Sequence, residues 1–391
     1  MKVKYSNKIY LDYAATTPID SRVLGEMLPF FSQDFGNPSS VHLYGQKAEA
    51  AVENSRSIMA EVFNCQPEEI VFTSCGTESN NLALRGAAFL AREKKNANHI
   101  LISPVEHDGV VKTARQLASR FDFNLEFLPV NEFGQVSPED VEKRIGTNTT
   151  IVSIIYGNNE IGTLNPIEEI GKVCREKGVL FHTDAVQAAA HLKINSKDIN
   201  AALITFGAHK AYGPKGVGAL HVREGVKLQP TQTGGGQEHN LRAGTSNVPL
   251  IVGQATAFKI LSEKRDSYQE KMIAMRDHLI GRVLESIPDV RLTGHPNERL
   301  PNHASFVFLG IDGNELLIQL DIEGFACSSG SACKTGNPEP SEVLKAIGVE
   351  KEWALGSLRV TLGNQTKDEE LLKFIDILPR VVSRLRNTRG N

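Results

Sequence analysis

Short apolar segments alternate with longer amphipathic segments over residues 46–225, and this alternation limits the possible folds more than any other feature of the sequence. The apolar segments are suited to buried strands and lie at residues 70–73, 99–103, 125–128, 150–156, 179–182, 202–206 and 218–221. Helical patterns separate many of them, for example at residues 46–63, 108–120 and 166–177. Such alternation is typical of a mainly parallel sheet covered by helices on both faces. We therefore predict an α/β fold.

The chain has 391 residues, which is too long for one small domain and suits two packed units. After a helix near residues 249–261, a charged helical stretch at 262–287 leads to strands predicted at 303–309, 324–328 and 357–362. The sequence shows neither internal repeats nor a low-complexity linker. We predict a large domain over residues 15–261 and a smaller one built from residues 1–14 and 262–391.

Charge and composition disfavour several classes of protein. The formal net charge is −3, so there is no electrostatic footprint for nucleic acid. No run of about 18 apolar residues could span a bilayer, and the N-terminus lacks the apolar region of a signal peptide. The cysteines at positions 65, 75, 174, 327 and 333 are odd in number and scattered, which argues against a disulfide framework and a zinc site. We expect a cytoplasmic protein with no bound metal.

Polar residues follow several of the predicted strands, where open α/β sheets bind their ligands. Gly76 and Thr77 open a helix after the strand at 70–73, and their backbone N–H groups could bind an anion, although Thr77 could equally be a simple N-cap. Two amides in the segment 157–162 follow another strand, where asparagines often only close a turn. Asp184 follows the strand at 179–182, and its carboxylate needs a partner, either a protonated ring nitrogen or a helix N-terminus.

Lys210 comes just after the strand predicted at 202–206, an awkward position for a solvated surface charge. Desolvation would lower the pKa of its amine and make it nucleophilic, as Schiff-base chemistry requires. The alternative is a structural ion pair. Lys215 is a rival amine, although Pro214 and the neighbouring glycines favour a turn there.

The segment His209-Lys-Ala-Tyr-Gly-Pro-Lys-Gly-Val-Gly218 resembles the cofactor-lysine segment of the NifS/IscS-type cysteine desulfurases. These enzymes belong to the class V aminotransferase family and to fold type I of the pyridoxal-phosphate enzymes. Further matching segments occur in the same order along nearly the whole chain, at residues 10–17, 36–42, 73–81, 106–107, 158–162, 184–187, 234–238, 241–245, 328–333 and 357–359. The resemblance implies a large domain with a mainly parallel seven-stranded sheet and a smaller α+β domain.

The resemblance also implies which residues bind the cofactor, pyridoxal phosphate. Lys210 would hold it as a Schiff base, His107 would stack on its ring, and Asp184 would pair with the ring nitrogen, which keeps the ring an electron sink. The other implied ligands are Gln187 and Asn159 near the phenolic oxygen, and Gly76, Thr77 and His209 at the phosphate. Thr245 matches a phosphate ligand lent by a partner subunit, which implies a homodimer.

For the substrate, the resemblance implies that Arg359 binds the α-carboxylate of L-cysteine, with Asn159 and Asn37 close to the same group. A guanidinium suits this task because it grips a carboxylate bidentately. Cys333 matches the nucleophile that accepts the sulfur, whereas its Ser/Gly-rich loop alone favours an incidental cysteine. With Lys210 moving the α-proton and His107 as a candidate acid/base, the implied products are L-alanine and a persulfide on Cys333. An acceptor protein, such as an iron–sulfur scaffold or a thiolation enzyme, would then collect the sulfur.

Gly207 departs from the pattern, because relatives usually carry a serine there that donates to the phosphate. The missing hydrogen bond predicts weaker cofactor retention, by about 1.5–3 kcal/mol if no water replaces it. The alternatives within enzymes are a selenocysteine lyase, another β-eliminating enzyme and an aminotransferase. A non-catalytic sulfur-carrier scaffold is a further alternative, which the joint presence of Lys210, Asp184, Arg359 and Cys333 disfavours.

Overall fold

The computed structural model describes residues 8–330 and 339–389. Its strands are β1 (Ile9–Tyr10), β2 (Ile70–Thr73), β3 (His99–Ile102), β4 (Asn124–Phe127), β5 (Thr149–Ser153), β6 (Leu180–Asp184), β7 (Leu203–Gly207), β8 (Gly218–Val222), β9 (Val290–Leu292), β10 (His303–Phe308), β11 (Phe325–Ala326) and β12 (Ser357–Thr361).

Helices fill most of the remaining described chain. They are α1 (Ser21–Met27), α2 (Pro29–Ser32), α3 (Leu43–Phe63), α4 (Gly76–Lys95), α5 (Asp108–Phe121), α6 (Pro138–Arg144), α7 (Ile167–Glu176), α8 (Ala188–His191), α9 (Ser196–Ile199), α10 (Val248–Ser286), α11 (Gly313–Ile322), α12 (Glu342–Ala346), α13 (Lys351–Ala354) and α14 (Asp368–Arg389). Short 3₁₀ turns occupy Pro67–Glu69, Ala208–Lys210 and Glu238–Asn240.

The large sheet has seven strands in the order β2-β8-β7-β6-β5-β3-β4. Neighbouring strands are parallel except where β8 pairs with β2 and with β7. The carboxyl ends of β2, β3, β5, β6 and β7 therefore meet at one edge of the sheet. Five of the seven strands are fully buried residue by residue, which explains why they read as apolar segments rather than alternating ones. The predicted mainly parallel α/β sheet is confirmed.

Residues in the left-handed conformation end three of the helices that cover this sheet. Asn64, Asn96 and Asp122 follow α3, α4 and α5 with φ near +50°, and each donates its backbone N–H to the preceding helical turns. Asn and Asp tolerate this conformation better than other non-glycine residues. These helix ends set the length of the connections that lead into β2, β3 and β4.

A smaller antiparallel sheet has the strand order β12-β10-β9, and its strands belong to a second core cluster with the C-terminal helix α14. The N-terminal strand β1 pairs with β11, and Leu11 lies in this second cluster, whereas Tyr13 lies in the core of the large sheet. The expected smaller α+β part is thus present. The boundaries at residues 14/15 and 261/262 remain predictions.

Helix α10 differs from the sequence-based expectation of two separate helical stretches on either side of residue 261. It runs without interruption for 39 residues. Its first half packs through Phe258 and Leu261 into the core of the large sheet, and its second half packs through Met272 and Leu279 into the second cluster. No glycine or proline lies between residues 254 and 280, so nothing in the backbone stops the helix. Among the described residues, no helix is both long and apolar enough to span a membrane.

Candidate active site

A cavity of about 250 Å³ lies at the carboxyl edge of the large sheet, where the sequence predicted ligand binding. Its lining includes most of the residues that the sequence singled out, namely Gly76, Thr77, His107, Asn159, Asp184, Gln187, His209, Lys210 and Arg359. The remaining lining residues are Ala14, Ala15, Cys75, Asn80, Ile155 and Val186. Residues up to 345 positions apart in the chain therefore meet in one place.

Asp184 is the last residue of β6 and is only 4% exposed. Its Oδ2 accepts a hydrogen bond of 2.7 Å from Nδ2 of Asn80, and its Oδ1 accepts one of 3.0 Å from the backbone N–H of Val186. The carboxylate is thus held in a fixed orientation at the base of the cavity. Such an acceptor, buried and oriented, suits a protonated ring nitrogen.

Lys210 closes the 3₁₀ turn that follows β7, and its Nζ donates hydrogen bonds to the backbone oxygens of Ala14 and Ala15. Burial, reinforced by the charge of Arg359, lowers the pKa of this amine to about 8, while Asp12 and Asp184 act in the opposite direction. A sizeable neutral fraction near pH 8 makes the amine nucleophilic. The competing idea of a structural ion pair is not supported among the described residues, because the partners of Nζ are neutral carbonyls.

The N-terminus of α4 forms a second wall of the cavity. Cys75 is the N-cap, and its Sγ accepts a hydrogen bond from the backbone N–H of Glu78, which leaves the first backbone N–H groups of the helix for a ligand. A Cβ at Gly76 would lie 2.8 Å from Cγ2 of Val186, so a larger residue would have to displace this side chain. Thr77, which the sequence offered as a possible N-cap, is instead the second helical residue and lies exposed at the cavity.

His209 lies beside this helix start and contacts Oγ1 of Thr16 through Nδ1 at 3.3 Å. Burial lowers the pKa of His209 to about 4, and the charges of Lys210, Lys215 and His107 add to the shift. The imidazole is therefore neutral at physiological pH. It can bind an anion by donating an N–H, but it contributes no positive charge.

His107 is the N-cap of α5 and lies exposed at the mouth of the cavity. Its Nδ1 accepts a 3.0 Å hydrogen bond from the backbone N–H of Gly109. In the neutral ring the proton is consequently on Nε2, which is left free to exchange a proton with a ligand. The same bond fixes the orientation of the imidazole plane.

Arg359 lies in β12 and is 7% exposed. Its Nη1 donates to the backbone oxygen of Asn159 at 2.9 Å, and its Nη2 forms an ion pair of 2.8 Å with Oδ1 of Asp12. Its Nε is buried without a hydrogen-bond partner among the described residues. Two fixed contacts aim the guanidinium at the cavity, and the unpaired N–H suits an incoming carboxylate.

Three predicted residues are not part of this lining. Thr245 and Asn37 are both exposed and lie outside the cavity of their own chain, and Oδ1 of Asn37 accepts a hydrogen bond from the backbone N–H of Ser39. Their predicted contacts with phosphate and substrate remain predictions. Cys333 lies outside the described residues.

Asn80 and Asp12 belong to the site, although the sequence analysis gave them no role. Each contacts a residue that the sequence analysis did identify: Asn80 orients Asp184, and Asp12 orients Arg359. A signal existed for Asn80, because it lies three positions after Thr77 and therefore shares the same face of the helix. No local pattern links Asp12 to Arg359 across 347 positions of sequence.

Two features of the cavity test whether its residues suit pyridoxal phosphate. The close packing at Gly76 brings bare helical backbone to the place expected for the phosphate. Elsewhere in the lining, Oδ1 of Asn80 and Nε of Arg359 are buried and lack partners among the described residues, and Asn80 itself donates to the carboxylate of Asp184. A helix start that can bind an anion, a buried carboxylate and an amine in one cavity fit a phosphorylated pyridine aldehyde.

A separate cluster brings Cys65, Glu69 and His221 together, with one potential ligand atom of each within 4.8 Å of the others. The scattered cysteine positions gave no indication of this arrangement. Both carboxylate oxygens of Glu69 already accept backbone N–H groups, from Gln66 and Glu224. Glu69 thus stabilises the backbone around it, and the cluster does not line the cavity of Lys210.

Comparisons with known proteins agree with this geometry. The sequence model of the family Aminotransferase class-V matches residues 9–374. Cysteine desulfurase IscS of Dictyoglomus turgidum is 43% identical over 97% of this chain and 95% of its own length. The solved structure of a NifS-like protein has a TM-score of 0.89 and 35% identity, covering 97% of this chain and all of its own. A structure titled SspA in complex with cysteine has a TM-score of 0.80 and 36% identity over 90% of this chain and 98% of its own.

The predicted family and the predicted fold type are therefore both confirmed. The match extends over almost the whole of the chain, and it agrees with the order of strands and with the position of the cavity. The chain belongs to the class-V aminotransferase family and, within it, to the NifS/IscS-type cysteine desulfurases.

Proposed function

We propose that this protein is a pyridoxal-phosphate-dependent cysteine desulfurase, which converts L-cysteine to L-alanine and retains the sulfur as a persulfide on Cys333. The observation that carries the proposal is the meeting of Lys210, Asp184 and Arg359 in one cavity. The names of the relatives and the cysteine in the SspA structure support the same substrate. An amine, a ring-nitrogen partner and a carboxylate clamp are what an amino-acid-cleaving enzyme of this class needs.

Most of the residues that would hold the cofactor line the cavity. Lys210 would bind its aldehyde carbon, Asp184 its ring nitrogen and His107 its ring face. At the other groups of the cofactor, the expected ligands are Asn159 and Gln187 at the phenolic oxygen, and Gly76, Thr77, His209 and the partner's Thr245 at the phosphate. When bound, pyridoxal phosphate supplies an electron sink that weakens the bonds at the α-carbon of an amino acid.

The chain's own groups then have distinct tasks. Arg359 would fix the carboxylate of L-cysteine, with Asn159 and Asn37 as further expected contacts, in the cavity that Nζ of Lys210 also lines. That amine, with its pKa near 8, can accept the α-proton and return it at neutral to slightly alkaline pH. His107 holds its proton on Nε2 and is the candidate to exchange a proton with the substrate thiol.

Cys333 decides which reaction occurs. Its sulfur bonds to the sulfur of the substrate while the substrate's Cβ–S bond breaks. The carbon fragment takes up a proton and leaves as L-alanine, so that one thiol and L-cysteine give one persulfide and L-alanine. No external oxidant is required.

The persulfide sulfur would then pass to an acceptor protein, an iron–sulfur scaffold or a thiolation enzyme. We further propose that the protein is a homodimer in which Thr245 completes the partner's site. A cytoplasmic location suits the exchange of a reactive thiol, because reducing conditions keep Cys333 free.

Incubation of the purified holoenzyme with L-cysteine tests the proposal. We expect L-alanine in the medium and, by intact mass, a protein heavier by one sulfur atom. A Cys333→Ser variant should form no persulfide, whereas an aminotransferase would keep its activity after this change. Absence of alanine from the wild-type reaction would refute the proposal, and a parallel reaction with L-selenocysteine separates it from a selenocysteine lyase.

A further inference from the structure

Glu160 occupies a turn directly beside the cavity, and no step described above uses it. The turn is rigid, because Oδ1 of Asn158 accepts the backbone N–H groups of Glu160 and Ile161 at 2.8 and 2.9 Å. The backbone oxygen of Asn159 in the same turn accepts Nη1 of Arg359. Glu160 is therefore fixed relative to the substrate-binding guanidinium.

The carboxylate of Glu160 contacts the described residues on both sides of the segment that contains Cys333. Oγ of Ser341 donates a hydrogen bond to its Oε2. On the other side, a Cβ at Gly330 would lie 2.8 Å from the same Oε2, so the backbone of Gly330 packs directly against the carboxylate. One oxygen atom thus touches two points that are 11 positions apart in sequence.

The contact at Gly330 limits the position of Cys333, because the two residues are close in sequence. Cys333 follows Gly330 by three residues, and three residues span at most about 11 Å. Where Gly330 is held therefore limits where the thiol can be.

We propose that Glu160 is a positioning residue for Cys333, holding Gly330 and Ser341 beside the cavity so that the thiol is delivered to the sulfur of the bound substrate. This inference rests on the proposed function and adds a residue to it. The carboxylate of Glu160 accepts the hydroxyl of Ser341 and packs against Gly330, so in this proposal it acts through the two residues that it holds.

The charge on Glu160 is set by its surroundings. Burial, and to a smaller extent the charge of Asp108, raise its pKa, while the hydrogen bond from Ser341 and the charge of Arg359 lower it, and the resulting pKa is about 7. Glu339, Glu342, Lys112, Arg115 and Lys345 line the wider cleft next to it. At pH 8 most of the wild-type protein therefore has an ionised Glu160, and the variants are compared with that state.

Single-turnover kinetics of the holoenzyme at pH 8 test the inference, with L-alanine and the Cys333 persulfide measured in the same quenched samples. We expect Glu160→Ala to slow the first turnover at least tenfold, with an unchanged KM for L-cysteine and an unchanged cofactor absorption band. Glu160→Gln should stay within about threefold of wild type, because its amide oxygen still accepts the hydroxyl of Ser341. Glu342→Ala is the matched control, an exposed glutamate one position after Ser341 that pairs with Lys345, and should behave as wild type.

A second arm separates positioning from general loss of structure. If Glu160 acts through Ser341, the double variant Glu160→Ala/Ser341→Ala should be no slower than Glu160→Ala alone. A first turnover of Glu160→Ala within twofold of wild type, equal slowing in the Gln and Ala variants, or a changed KM would each overturn the inference. If only the role of Glu160 is wrong, the wild-type enzyme still makes alanine. If the proposed function is wrong, neither the wild-type enzyme nor any variant makes alanine.

Discussion

At the scale of single residues, the cavity prepares each reactive group through a small number of contacts. Burial supplies Lys210 with a partly neutral amine, and two backbone oxygens hold it in place. Asn80 orients Asp184, while Gly109 determines which nitrogen of His107 carries the proton. The chemistry of these side chains therefore depends on neighbours that do not themselves react.

The lowered pKa of Lys210 predicts how apoenzyme takes up its cofactor at different pH values. Only the neutral amine attacks an aldehyde, so the rate of covalent attachment should rise between pH 6 and 8 and level off above about pH 8. Stopped-flow absorbance with pyridoxal phosphate measures this rate. Lys215→Ala should give the same profile, and a rate that keeps rising towards pH 10 would contradict the prediction.

Arg359 predicts a specific loss of substrate affinity. Arg359→Lys keeps the charge but loses the planar pair of donors, at a cost of about 2 kcal/mol, or about 30-fold in KM for L-cysteine. Steady-state alanine formation measures the effect, and kcat should change less than KM. The control is Arg291→Lys, an exposed arginine paired with Glu350, and an equal effect there would refute the assignment.

Gly207 predicts a gain in cofactor affinity that depends on a neighbour. A Cβ at position 207 would lie 3.1 Å from Cγ1 of Val186, so Gly207→Ser alone must push this side chain aside. We expect the double variant Gly207→Ser/Val186→Ala to bind pyridoxal phosphate about tenfold more tightly than Val186→Ala, as one added hydrogen bond to a phosphate allows. Equilibrium dialysis measures both dissociation constants, and equal values would show that no phosphate bond is formed.

At the scale of elements, a buried ion pair secures the connection that precedes α10. Nη1 and Nη2 of Arg56 on α3 donate to the two carboxylate oxygens of Glu238 at 2.8 and 3.1 Å, and the backbone N–H of Phe72 donates to Oε2 at 2.8 Å. Glu238, His239 and Asn240 all have positive φ values, a strained run for residues other than glycine. The ion pair stabilises a turn that the backbone alone disfavours.

Removing Glu238 should therefore be costly. Glu238→Ala removes the buried partner of the Arg56 guanidinium and leaves it only the exposed Glu53 and the backbone oxygen of Ile70, so we expect the free energy of unfolding to fall by about 3 kcal/mol. Urea denaturation followed by circular dichroism measures the loss. Glu285→Ala, which removes an exposed ion pair with Arg282, should change stability by less than about 1 kcal/mol, and similar losses in the two variants would argue against the role of burial.

Features of the fold and of the site could be predicted from the sequence where the signal lies in neighbouring residues. Lys210 and Asp184 could be found because each lies at or shortly after the end of a buried strand, and strand ends converge in a parallel sheet. The continuity of α10 was missed, because a change from apolar to charged residues near residue 261 looks like a boundary although the backbone has no reason to stop. The partners Asp12 and Glu160 could not be found, since packing alone brings them to Arg359 and Ser341.

At the scale of the whole molecule, one helix connects the two core clusters. Helix α10 contributes side chains to both, because it packs against the turn that carries Lys210 and against β10, the strand next to β12, which carries Arg359. Thr245 lies just before this helix and is exposed. An exposed residue of that kind is free to reach a neighbouring subunit, as the proposed homodimer requires.

Mixed dimers test whether the sites are shared between subunits. Lys210→Ala and Thr245→Asp should each be inactive alone, because the first removes the amine and the second places a carboxylate against the phosphate. In a mixed dimer, the Thr245→Asp chain supplies an intact Lys210 and the Lys210→Ala chain supplies an intact Thr245. One of the two sites combines these residues and is therefore complete. After unfolding and refolding an equal mixture, half of the dimers are mixed and half of their sites are intact, which gives about a quarter of wild-type alanine formation if assembly is random. If each site is built within one chain, the mixed dimer holds no complete site, and no activity should return.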